Sequence, residues 1–161
     1  LHDALPISDS GITVHQILAN SYLLYLLAVI FGFVVDILFP VQIPIKAFSP
    51  LGIILIILGT TVIVWAQRSS GKSSAIRRSA KEDLGVHHFS TGPYYVTRIP
   101  TQYGLFFMTF GLGMIFYSLF MMIAVLVAFI IARYVFIPKE EAYLVKKYGQ
   151  AYLDYKKTVR A

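Results

Sequence analysis

One arginine lies among turn-forming residues in the segment at 87–104. Gly92 and Pro93 favour a defined turn, and Arg98 with Pro100 places a guanidinium group where the chain enters a long apolar stretch. A guanidinium group at such a point can pair with a carboxylate or a phosphate. The residues alone leave two interpretations open: a binding site, or an arginine that anchors the chain to lipid headgroups.

Two adjacent acids, Glu140 and Glu141, begin a second polar segment that reaches residue 160. A carboxylate can pair with an ammonium group or accept hydrogen bonds from hydroxyls. Apolar and aromatic residues then recur every three or four positions, which predicts one stripe along helical structure: Leu144, Tyr148, Tyr152, Tyr155 and Val159. Gly149 is expected to end the first helix of this segment. The residues alone leave two interpretations open for this segment as well: part of a binding site, or an amphipathic helix on a membrane surface.

The composition indicates that the elements that position both segments lie in a bilayer. Of 161 residues, 57% are hydrophobic and 14% are charged, whereas soluble domains carry about 25% charged residues. Two apolar runs are long enough to be spans, at 17–39 and 49–66, and a third run is divided into two shorter predicted spans, at 105–118 and 119–137. The sequence therefore predicts an all-α integral membrane protein with about four transmembrane helices.

The last two spans are predicted to form a tight hairpin that turns near Tyr117 and Ser118, because the stretch at 105–137, with 33 residues and one charge, is too long for one ordinary span and short for two full ones. A single tilted helix is the alternative. An amphipathic C-terminal helix is expected at 138–161, after Pro138 ends the apolar run. We expect residues 1–8 to be translated sequencing adapter and residues 9–161 to be one domain.

Basic residues predict the orientation. Six lie in the loop at 67–104 and six in the tail at 138–161, whereas only Lys46 lies between the first two spans. The positive-inside rule therefore places the loop and the tail in the cytoplasm, and a prokaryotic cytoplasmic membrane is the expected location.

The composition also excludes several classes of function. The net charge of +6 comes from basic residues beside apolar runs, which favours anionic headgroups over nucleic acid as the partner. Cysteine is absent, so disulfides, thiolate metal sites and thiol nucleophiles are excluded. The chain is too short to hold both these spans and a separate Rossmann-type domain.

Together, the two polar segments resemble the isoprenylcysteine carboxyl methyltransferase family and its phospholipid methyltransferase relatives. The resemblance covers roughly residues 50–161. Twelve positions match the family pattern in order: Gly92, Tyr94, Arg98, Pro100, Gly104, Glu140, Glu141, Leu144, Tyr148, Gly149, Tyr152 and Tyr155. Two positions depart from it, with Ile99 where the family most often has His and Gln102 where it often has Tyr.

The resemblance implies a membrane methyltransferase that uses S-adenosylmethionine on its cytoplasmic side and needs no metal. It implies these cofactor-binding residues: His88, Gly92, Tyr94, Arg98, Pro100, Glu140 and Glu141. Arg98 and Glu141 are the implied catalytic pair, and the implied acceptor is lipophilic, either an isoprenylcysteine carboxylate or a phospholipid amine.

Two other functions stay open at this point. One is an NADPH-dependent membrane reductase of the sterol-reductase type, which shares a similar hairpin and loop. The other is a non-catalytic membrane protein that keeps the scaffold. The sequence predicts no oligomeric state.

Overall fold

The computed structural model describes residues 14–41, 48–79 and 89–160, with side chains described in 18–41, 49–70 and 89–160. Within these ranges the chain is helical and forms no strand, so the all-α prediction is confirmed there. The elements in chain order are α1 (Val14–Leu38), α2 (Phe48–Ser79), a 3-10 turn (Gly92–Tyr95), α3 (Pro100–Ile115), α4 (Leu119–Ile131), a π-helical turn (Ala132–Phe136), α5 (Ile137–Tyr148) and α6 (Gln150–Thr158). The predicted adapter segment at 1–8 lies outside the described residues, as does Lys46.

In the described part of the chain, three helical segments are long and apolar enough to cross a membrane: Leu18–Leu38, Ser49–Ser70 and Leu119–Tyr148. The fourth expected span, α3, has 16 residues and is about 24 Å long at 1.5 Å per residue. The count of four spans therefore stays a prediction. Helix α2 continues beyond residue 66 to Ser79, because the polar sequence that follows contains no proline to stop it.

The hairpin between α3 and α4 turns where the sequence predicts. Tyr117 adopts φ 53°, which reverses the chain within a few residues. The Ser118 hydroxyl then accepts a hydrogen bond from the Met121 backbone N–H at 3.1 Å and caps α4. The prediction of a hairpin over a single tilted helix is confirmed.

Glycines bring α2 and α3 into backbone contact. A Cβ atom on Gly59 would lie 2.5 Å from the carbonyl oxygen of Gly104, and a Cβ on Gly111 would lie 2.6 Å from that of Gly52. Small residues allow membrane helices to approach this closely. The first turn of α3, which follows Arg98, is thereby fixed against α2.

Helix α4 runs into α5 without a break at Pro138. The five-residue π-helical turn Ala132–Phe136 directly precedes α5 and accommodates the proline, which lacks an N–H and would clash in a regular α-helix. Gly149, with φ 60°, ends α5 as predicted, and α6 follows it. The tail is thus two helices, the first continuous with α4. That it lies on a membrane surface as an amphipathic helix stays a prediction.

Candidate functional site

An aromatic cluster joins the tail to the segment before the hairpin. Phe89, Tyr152, Tyr155 and Val159 are buried together, and Leu144 and Tyr148 pack against them. The Phe89 ring lies 5.7 Å from the Tyr155 ring in a stacked arrangement and 5.2 Å from the Tyr148 ring edge to face. The predicted stripe is therefore one packed surface, and Phe89 is its partner.

Two hydrogen bonds fix the same two segments to each other. The Tyr155 hydroxyl donates to the Tyr94 carbonyl oxygen at 2.7 Å. The Arg98 backbone N–H donates to the Arg160 carbonyl oxygen at 3.1 Å. The loop and the tail, distant in sequence, are therefore held side by side.

Gly92 allows the 3-10 turn to lie directly on α2. Its φ is 60°, and a Cβ at this position would collide with the Ser69 hydroxyl oxygen. Pro93 is buried beside it. Gly92 is thus required by backbone conformation and by space, whatever ligand the loop binds.

Arg98 and Glu141 form the ionic centre of this junction. The guanidinium Nη1 pairs with Glu141 Oε1, and the two side chains are only 11% and 13% exposed. Lys156 of α6 pairs with the second oxygen of the same carboxylate, Nζ to Oε2, at 2.6 Å. One buried carboxylate is therefore shared by two cations from different segments.

This cluster retains polar groups that could bind a ligand. Arg98 Nε is buried and has no hydrogen-bond partner among the described residues. Glu140 is partly buried, and within the described part of the chain it makes no ion pair or hydrogen bond. A donor and an acceptor are thus available for a ligand that carries both signs of charge.

Tyr152 connects the aromatic cluster to the ionic one. Burial raises the pKa of its hydroxyl well above the ordinary value, the nearby Glu141 raises it further, and the positive charge of Arg98 partly opposes both. The hydroxyl therefore stays protonated at any physiological pH, and Tyr152 is a neutral group beside the ionic one.

The family model for phospholipid methyltransferases matches residues 48–151, well over half of the chain. The chain belongs to the phospholipid methyltransferase family. The match includes α2, the segment with Arg98, the hairpin and Glu141, which are the parts that the geometry brings together. No curated protein and no solved structure matches the chain significantly.

In this member of the phospholipid methyltransferase family, the two departing positions are part of the helix packing. Ile99 is 5% exposed at the N-terminus of α3. Gln102 is 2% exposed, and its Nε2 donates to the Ser21 hydroxyl on α1 at 2.8 Å. Both side chains therefore contribute to the protein interior.

The other predicted site residues differ in position. Tyr94 and buried Pro100 flank the segment that carries Arg98, whereas His88 lies outside the described residues. Sequence reasoning missed Lys156 and Phe89. No spacing rule relates Lys156 to Glu141, because the change of direction at Gly149 decides which lysine of α6 comes near.

Proposed function

We propose that this member of the phospholipid methyltransferase family is an S-adenosylmethionine-dependent methyltransferase that acts on a lipophilic acceptor. The observation that carries the proposal is the buried Arg98–Glu141 pair with its unpartnered Arg98 Nε. A buried guanidinium N–H without a partner costs free energy unless a ligand satisfies it. The methionyl carboxylate of S-adenosylmethionine has the chemistry to do so.

The residues at the junction suit the remaining groups of the same cofactor. Glu140 can pair with the cofactor's ammonium group, and aromatic faces such as that of Tyr148 suit its sulfonium or its adenine. When bound, S-adenosylmethionine supplies an already activated methyl group. The protein's task is then to orient the reactants and exclude water, and neither a metal nor a covalent nucleophile is required.

The acceptor that we propose reaches the site from the bilayer. The candidate spans Ser49–Ser70 and Leu119–Tyr148 belong to the helices that carry Ser69 and Glu141, so the junction lies next to membrane-embedded structure. An isoprenylcysteine carboxylate and a phospholipid amine are both compatible with this access, as the resemblance implies.

We propose that the junction faces the cytoplasm, as the distribution of basic residues predicts. Because the chain has no cysteine, Ser73→Cys provides a single labelling site. We expect an impermeant thiol reagent to label it in opened membranes and to leave it unlabelled in intact cells. Labelling in intact cells would contradict the orientation.

Binding of labelled S-adenosylmethionine to the purified chain tests the activity. We expect Arg98→Ala and Glu141→Gln each to weaken binding about ten- to a hundredfold, the usual effect of losing one charge-assisted hydrogen bond. Lys146→Ala, on the exposed side of α5, is the control and should bind as the wild type does.

Two outcomes would contradict the proposal. Binding of NADPH in place of S-adenosylmethionine would indicate a reductase, and binding of neither would indicate a non-catalytic protein. If Arg98→Ala and Lys146→Ala bind S-adenosylmethionine equally well, Arg98 is a headgroup anchor. Mass spectrometry of lipid extracts incubated with the enzyme and the labelled donor then identifies the acceptor.

A further inference from the structure

An open apolar groove of about 480 Å³ lies between the second half of α2, the start of α3 and the 3-10 turn. Ligand sites typically measure about 300–1,000 Å³. Its apolar lining includes Val62, Trp65, Pro93, Val96, Pro100 and Phe107. The groove is separate from the Arg98–Glu141 pair, neither of which lines it.

One cation lies at the edge of this groove. Arg160 lines it, is exposed, and pairs with no acid among the described residues. Its carbonyl oxygen accepts a hydrogen bond from the Arg98 backbone N–H, which holds this part of the tail beside the groove. An apolar groove with a cation at one end is complementary to an amphiphile with an anionic head.

The exposed side chains around the groove are typical of a membrane interface. Trp65 is 51% exposed near the end of the candidate span Ser49–Ser70, and Tyr95 and Val96 of the neighbouring turn are more exposed still. Tryptophan and tyrosine concentrate where the hydrocarbon core meets the headgroups. A lipid chain can therefore enter this groove from the side.

We infer that the groove binds one acidic phospholipid of the surrounding bilayer, with an acyl chain against the exposed side chains of Trp65 and Val96 and the phosphate on Arg160. The groove and Arg160 alone carry this inference, so it does not rest on the proposed methyl transfer.

Trp65 is the only tryptophan of the chain and reports directly on the groove. The full chain is reconstituted in phosphatidylcholine vesicles that contain either brominated phosphatidylglycerol or brominated phosphatidylcholine at equal mole fraction. We expect the acidic lipid to bind about fivefold more tightly than the neutral lipid at the position from which bromine quenches Trp65 fluorescence. This ratio corresponds to the attraction between one basic residue near the membrane surface and an anionic lipid. Equal quenching by the two lipids would overturn the inference.

Two variants test whether the preference for the acidic lipid depends on Arg160. Arg160→Gln should remove it, whereas Arg68→Gln, which makes the same charge change about one helical turn after Trp65 but outside the groove lining, should keep it. Equal loss in both variants would indicate general attraction to a basic surface and would refute the site.

The salt dependence of the lipid preference tests the same inference without a variant. In the wild-type protein the preference should fall as salt is raised to 1 M, because added ions screen an exposed charge. Persistence of the full preference at high salt would contradict a role for Arg160. Binding of labelled S-adenosylmethionine to the same samples shows separately whether the proposed methyl-donor site is intact.

Discussion

The shared carboxylate of Glu141 predicts a definite order of stability losses when each member of the cluster is replaced by Met. Glu141→Met leaves Arg98, 11% exposed, without an acid, and losing one partner of a buried pair typically costs about 3–5 kcal/mol. Arg98→Met should cost less, about 1.5–3 kcal/mol, because Lys156 still pairs with the carboxylate at 2.6 Å. Lys156→Met should cost at most about 1 kcal/mol, because Lys156 is 42% exposed.

The double variant Arg98→Met/Glu141→Met sharpens this prediction. Removing both charges leaves neither member of the pair behind without its partner, so the loss of stability should be well below the sum of the two single losses. Lys156, which then lacks Glu141, is exposed enough to be hydrated.

The free energy of unfolding in mixed micelles, followed by circular dichroism as SDS is added, measures all four variants against the wild type. The reasoning is refuted if Lys156→Met loses as much stability as Glu141→Met. It is equally refuted if the double variant loses the full sum, since the pair would then not be coupled.

Three further stability changes are expected in the same assay. Gly59→Ala should lower the free energy of unfolding by about 1–2 kcal/mol, since its Cβ meets backbone atoms of α3. Gly113→Ala is the control and should be near neutral, because its Cβ first meets a flexible Met side chain. Equal effects of the two variants would contradict close α2–α3 packing. Gly92→Ala should lose at least about 1–2 kcal/mol from its φ of 60° alone, and wild-type stability would show that the turn can relax. Tyr155→Phe should lose about 1 kcal/mol with its hydrogen bond to the loop, and no loss would mean that water replaces that bond.

Local chemistry made the helical architecture predictable from the sequence. Apolar runs, the break at Tyr117–Ser118 and Gly149 each act within a few residues, so the hairpin and the end of α5 were found. The continuation of α2 to Ser79 was missed because loss of hydrophobicity ends a membrane span without ending a helix. The unbroken passage through Pro138 was missed because a π-helical turn leaves no pattern in the sequence.

The candidate site was predictable only in part, because some of its contacts depend on how separate helices pack together. Arg98 and Glu141 could be expected to meet because a hairpin returns the chain to its starting side, and the structure brings them together. Lys156 and the Gln102–Ser21 hydrogen bond depend on the relative rotation of separate helices. That rotation follows from packing across the whole protein, such as the glycine contacts between α2 and α3.

The π-helical turn joins α4 and α5 into one continuous helix from Leu119 to Tyr148, so Glu141 lies on one of the candidate membrane spans. Arg98 belongs to a different part of the chain, immediately before α3. A transmembrane helix adjusts its tilt to the hydrocarbon thickness around it. We therefore expect the distance between these two charges to depend on bilayer thickness, and to differ between a bilayer of defined chain length and a detergent micelle.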